Sequence, residues 1–163
     1  GVVESPLVRD PFMLVCARGA LAEAGGAQSL MHGLPLLRYD REQLIGRQIE
    51  AHLARQKLEF PERFEIGAHL SLMTLVARGV GWTITTPLGY MRAERFQDRM
   101  EAHPLPFSPF ARTISLFAAS DWTDRVPRDV ARTMRKLVSE SVIEPALRQL
   151  PWLEGELQVL AGD

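Results

Sequence analysis

The stretch from Arg63 to Pro87 constrains the fold of this chain more than any other. Arg63–Ile66 has the character of a short strand. His69–Arg78 follows as a helix with Leu70, Met73 and Val76 on one face, and Gly79 stands where a helix takes a left-handed terminator. Trp82–Thr86 (WTITT) is β-branched and is stopped by Pro87. Strand, helix and strand in this length form a βαβ unit, and its strands pair in parallel. The expectation is an α/β fold with a parallel or mixed sheet flanked by helices.

The flanking segments extend the pattern. Phe12–Ala17 (FMLVCA) is a continuous apolar run and reads as a buried strand. Arg18–Ser29, interrupted by Gly19, Gly25 and Gly26, reads as a loop with at most a short helix. Leu34–Tyr39 is a short strand. Asp40 is expected to cap a helix, with Gln43 at the capping-box position and Leu44, Ile45, Ile49 and Leu53 at helical spacing. Gly46 inside that helix costs about 1 kcal/mol relative to Ala. It marks either close approach of a backbone or ligand, or plain tolerance. Two short helical pieces fit Leu88–Met100, and Pro104–Pro109 reads as a linker. Arg112–Ala119 alternates as a half-buried strand. A long helix is expected from about Pro127, with Val130, Met134, Leu137 and Val138 as its apolar stripe and Pro145 kinking or ending it. The tail Pro151–Leu160 is expected to dock as a last strand or extended segment.

Composition narrows the function. The 163 residues suit one domain or two small lobes, and 46% are hydrophobic, enough for a core. Nineteen basic and 20 acidic residues give a net charge of −1, which argues against nucleic-acid binding by this chain alone. The single cysteine, Cys16, cannot form an internal disulfide and excludes Cys-based zinc motifs; it is expected as a small buried hydrophobe in a reducing, cytoplasmic protein. No apolar run approaches membrane-spanning length. Nucleophile elbow, P-loop, dinucleotide fingerprint and zincin motifs are absent, so an enzyme is not expected. His32, His52, His69 and His103 lie far apart, with no metal spacing, and no cofactor or metal is expected.

One constellation suggests binding. Leu34–Arg38 runs into a helix start at Asp40–Gln43, and open α/β sheets take ligands where strand ends meet helix starts. The amides of Arg41–Gln43 are expected free to receive an anion, with Arg38, Arg41 and Arg47 beside them and Tyr39 able to stack or hydrogen-bond. Asp40 competes for the same amides; if it caps inward, a neutral or aromatic ligand fits as well as an anion. The plain reading is an ordinary capped helix with exposed arginines. Gly67–Ala68–His69 and Thr85–Thr86–Pro87 are the second and third candidates, each also common as a structural turn. In one parallel sheet all three strand ends share an edge.

The order and spacing of four stretches resemble the effector-binding domain of LysR-type transcriptional regulators. They are PLVRDPFMLVC (Pro6–Cys16), LPLLRYDREQLIGRQIE (Leu34–Glu50), FEIGAHLSLMTLVARGVGWTITTP (Phe64–Pro87) and PLPFSPFARTISLF (Pro104–Phe117). The resemblance implies a periplasmic-binding-protein-like fold (type 2): two α/β lobes, two crossover strands and a ligand cleft. Residues 13–106 would be lobe II, and residues 1–12 and 107–163 an incomplete lobe I. The winged helix-turn-helix and the first part of lobe I would lie outside this chain.

The resemblance further implies a pocket wall at Arg38, Tyr39, Asp40 and Arg41, with Leu44 and Arg47 behind. A second wall would be Gly67, Ala68 and His69, with Thr86 near the hinge. The implied function is sensing of a small-molecule effector, with an organic anion as one candidate, in a homodimer or higher homo-oligomer. DNA would be reached only through the missing N-terminal domain. A solute-binding protein of a transporter is the alternative, and a pure dimerisation module a third.

Overall fold

The computed structural model describes residues 1–121 and 125–161. Along the chain run β1 (Val2–Pro11), β2 (Met13–Ala17), α1 (Ala20–Ala24), α2 (Ala27–Gly33), β3 (Leu37–Tyr39), α3 (Leu44–Arg55), β4 (Phe64–Ile66), α4 (His69–Ala77), β5 (Thr83–Thr85), α5 (Pro87–Arg92), β6 (Met100–Pro104), β7 (Ala111–Ala119), α6 (Arg125–Val138), α7 (Glu144–Gln149) and β8 (Gln158–Val159). They form two compact units, Phe12–Phe110 and Gly1–Pro11 with Ala111–Asp163. No helix among the described residues is long and apolar enough to cross a membrane.

In the Phe12–Phe110 unit, β3 and β4 pair in parallel, Leu37 facing Phe64 and Tyr39 facing Ile66. Leu36 bridges to Trp82 in parallel and joins β3 to the start of β5. Strand β2 is antiparallel to both β5 and β6. The sheet is therefore mixed; β4 and β5, expected to pair with each other, instead each run parallel to the β3 segment that lies between them. Met13, Leu14, Val15, Leu37, Leu72, Met73, Val76, Trp82 and Ile84 fill its core. Helix α4 ends in a Schellman motif: Val80 N–H donates to Leu75 O at 3.1 Å and Gly79 N–H to Val76 O at 2.9 Å. Gly79 takes the left-handed φ of 80° that this requires.

Two further expectations for this unit are corrected. Arg18–Ser29 is not mainly loop: α1 and α2 occupy it, separated by Gly25 and Gly26 at φ 87° and 132°. Helix α3 starts at Leu44, four residues after Asp40, with Gln43 as N-cap. Asp40 instead closes its own turn, its Oδ1 accepting from Glu42 N–H at 2.9 Å and its carbonyl from Gln43 N–H at 3.0 Å. Strand β6, pairing along β2 from Met100 to Pro104, takes over where the helical expectation for Leu88–Met100 ends, and its residues Glu101–His103 carried no structural expectation. Gly46 is explained by backbone approach: a Cβ there would overlap the Asp40 carbonyl oxygen.

In the other unit, β1 lies between β7 and β8, antiparallel to each. Leu7, Val8, Ala131, Ile143, Ala146, Leu153 and Leu157 form its core. Asp10 is fully buried and pairs with Arg112 at 2.9 Å. Pro145 does not end the helical path. A π turn at Ser139–Ile143 precedes α7, where Pro145 sits in the first turn, a place that asks for no N–H donor. The expected apolar stripe of α6 stays largely open: Val130, Met134 and Leu137 are exposed and Val138 is half-buried, Val126 is exposed as well, and only Ala131 of the helix is buried.

Candidate functional site

The ends of β3, β4 and β5 and the starts of α3, α4 and α5 meet on one edge of the Phe12–Phe110 unit. At its centre Tyr39, buried at the end of β3, reaches two neighbours. Its hydroxyl lies 2.9 Å from His69 Nδ1 and 2.7 Å from Thr85 Oγ1. His69 Nε2 lies 2.7 Å from the Gly89 carbonyl, which can only accept, so the ring carries its proton on Nε2. Burial pushes the imidazole below its ordinary value of 6.5, and the Arg92 charge pushes the same way against the Gly89 bond. The neutral ring then accepts at Nδ1 from Tyr39, and Tyr39 accepts from Thr85. The Tyr39 and His69 rings stack with centroids 5.9 Å apart.

Gly89 permits this chain of bonds, because a Cβ there would lie 2.6 Å from Thr85 Oγ1. Thr86 is fully buried and caps α5, its Oγ1 accepting from Gly89 N–H at 3.2 Å. Pro87 at the first helical position needs no N–H partner, so the cap and the proline set the turn together.

The three arginines of the expected pocket are otherwise engaged. Arg38 is only 5% exposed, ion-pairs with Glu50 and donates to the Phe60 carbonyl. Arg41 pairs with Glu65 at 2.9 Å. Arg47 donates to the Arg41 and Glu42 carbonyls at 3.1 and 3.0 Å, and so staples the turn before α3. The amides of Glu42 and Gln43, expected free for an anion, are taken by Asp40.

Free donors lie one step further along. Neither α3 nor α4 has a side-chain cap, so their first-turn amides keep no side-chain partner. Gln43 Nε2 donates to the Gly67 carbonyl at 2.8 Å and ties the two helix starts together. Leu44, 60% exposed, stands at the start of α3. Gly67 and Ala68 are exposed before α4, and His69 is half-buried at its first position. The structure thus brings together Tyr39, Asp40, Leu44, Gly67, Ala68 and His69, while Arg38 sits beneath them. Along the sequence Gln43 stands out only as a capping partner and Gly89 not at all; a glycine three residues after Thr86 was the available signal.

Chemically the edge can orient a ligand. Two adjacent helix starts supply N–H donors and partial positive charge. Tyr39, Thr85 and His69 supply a fixed polar floor, and Leu44 an apolar flank.

The sequence matches the family described as LysR substrate binding domain over residues 1–142. No curated protein matches. Among solved structures, a cysteine mutant of OxyR from Corynebacterium glutamicum is 18% identical with a TM-score of 0.68, over 91% of this chain and 47% of that one. The regulatory domain of HypT from Salmonella typhimurium in its apo form is 19% identical with a TM-score of 0.61, over 85% of this chain and 66% of that one. The CcmR regulatory domain of Synechocystis in complex with 2-PG is 12% identical with a TM-score of 0.64, over 83% of this chain and 66% of that one. The chain thus spans between 47% and 66% of the length of these structures. They share its fold, the periplasmic-binding-protein-like fold of LysR regulatory domains. With the match covering residues 1–142, the chain belongs to the LysR substrate-binding domain family.

Proposed function

We propose that this chain is the effector-sensing part of a cytoplasmic LysR-type regulator and does no catalysis of its own. Residues 13–106, inside the unit Phe12–Phe110, are read as lobe II and residues 1–12 and 107–163 as part of lobe I. A small molecule would bind at the Tyr39–His69–Thr85 edge, and its differential affinity for two lobe arrangements would reach DNA through a domain outside these residues. The observation that carries this reading is the pair of uncapped helix starts tied by Gln43 and Gly67.

The engaged arginines change the expected chemistry of the ligand. Charge-assisted capture by Arg38 or Arg41 would first have to break a pair with Glu50 or Glu65. Helix-start amides favour a carboxylate by about 0.3–1 kcal/mol at an exposed site. The inward-turned Asp40 and exposed Leu44 suit a ligand that also has an apolar or aromatic body. Thr86, buried under the α5 start, supports the site and does not contact the ligand in this reading. The transporter reading is not favoured, since the matching family is that of regulator domains.

Titrating benzoate and acetate into the isotope-labelled chain tests the site by amide chemical shifts. Saturable shifts at Leu44–Gly46 and His69–Ser71, weakened about tenfold or more by Gln43→Ala, are expected, a change of about 1.4 kcal/mol. Shifts confined to other residues would remove the site. The open stripe of α6 supports a homodimer or higher homo-oligomer as the working form.

A further inference from the structure

We propose that Cys16, Glu101 and His103 form a binding site for a zinc-class divalent cation, at the opposite end of the sheet from the candidate effector site. Strands β2 and β6 pair so that Cys16 faces Glu101 and Leu14 faces His103. Alternation along β6 puts Glu101 and His103 on one side, and cross-strand pairing puts Cys16 there too. One ligand atom from each residue lies within 4.8 Å of the other two. Four donors around a tetrahedral zinc ion sit roughly 3.3–3.8 Å apart, given bonds of about 2.0–2.3 Å. Small side-chain rotations therefore close the set. In register, Met13 faces Thr85 and Val15 faces Thr83, so Cys16 lies past the start of β5 while Thr85 ends it.

The surroundings suit a ligand set. Gly19 N–H donates to Glu101 Oε1 and fixes the carboxylate, leaving Oε2 toward His103 at 2.6 Å. The Glu101 and His103 side chains are 22% and 31% exposed, which leaves an entry path and a fourth position for water. One thiolate, one imidazole and one carboxylate select a borderline-soft ion over calcium or magnesium, which require oxygen ligands. Binding sends the Cys16 thiol proton to solvent, and His103 moves its ring proton to Nδ1 so that Nε2 can donate its lone pair. The cation's two positive charges then meet one thiolate and one carboxylate, and the buried site is neutral.

Without a cation the thiol is inert: burial first, and the Glu101 charge second, push it up to about 12. Burial also raises Glu101, but the Gly19 amide and His103 outweigh it and hold the carboxyl below its usual range.

Cobalt(II) chloride titrated into the whole chain tests this. A saturable one-to-one thiolate-to-cobalt charge-transfer band, formed with release of one proton and then displaced by zinc without further proton release, is expected. Cys16→Ser should abolish the band. His103→Gln, at a partly exposed position that leaves the core intact, should weaken cobalt binding by about tenfold or more. A titration without the band, or an affinity unchanged in His103→Gln, would overturn the proposal and leave Glu101–His103 as an ordinary hydrogen-bonded pair.

Discussion

The two units use similar apolar material to opposite ends. In Phe12–Phe110 most apolar residues of β2, β3, α4 and β5 are inside, although Leu70, expected on the packed face of α4, is 48% exposed; Trp82 is fully buried. Its indole N–H donates to the Leu34 carbonyl at 3.0 Å, and Phe60 meets its ring edge-on. In the unit of β1, β7 and α6, Val2, Val3, Phe117, Val126, Val130, Met134 and Leu137 remain exposed. Its buried anchor is instead the Asp10–Arg112 pair. One unit closes its own core. The other keeps a helix face whose hydrophobic stabilisation is still unrealised, because apolar area contributes only when it leaves water.

The largest effect should come from the closed core. Trp82→Ala removes its central ring and is expected to cost about 3–5 kcal/mol in denaturant unfolding. A loss below about 0.5 kcal/mol would mean that the unit is not held together this way. Next comes the anchor of the other unit. Arg112→Ala leaves the buried Asp10 carboxylate without this guanidinium and should cost about 3 kcal/mol, the low end for a buried pair because Arg112 is partly solvated. If the same change proved neutral, Asp10 would not be an anchor. The smallest effect on stability should come from Met134→Glu with Leu137→Glu on α6, within about 0.5 kcal/mol. The same variant should sediment as a smaller species than the parent chain, since a charge on each exposed position opposes apolar association. Unchanged association would show that the open face is not the contact; a large stability loss would show that it is part of the core.

Part of the fold is legible in the amino-acid sequence. The βαβ unit, the Gly79 terminator, the Pro87 stop and the burial of Cys16 follow from periodicity and local backbone chemistry, which neighbours within a few residues determine. The candidate edge is legible as a region, since strand ends and helix starts can be placed from the same signals. Its details are not. Asp40 and Gln43 match a capping box, yet Asp40 turns the chain first and α3 begins at Leu44. Nothing in the sequence tells which of two nearby turns an Asp carboxylate will close.

By itself, then, the sequence determined the alternation of elements, the apolar faces and the family to which they belong. Tertiary structure alone decided which partners those residues met. Arg38 and Arg41 read as free cations until Glu50 and Glu65 stood beside them. The stripe of α6 read as a core face, but no element among the described residues covers it. Cys16 and His103 carried no metal spacing along the chain, yet the β2–β6 register sets them side by side with Glu101. The physical reason is common to all three. Periodicity reports how a segment lies relative to its own axis, whereas pairing between distant segments depends on strand register and packing that no local window contains.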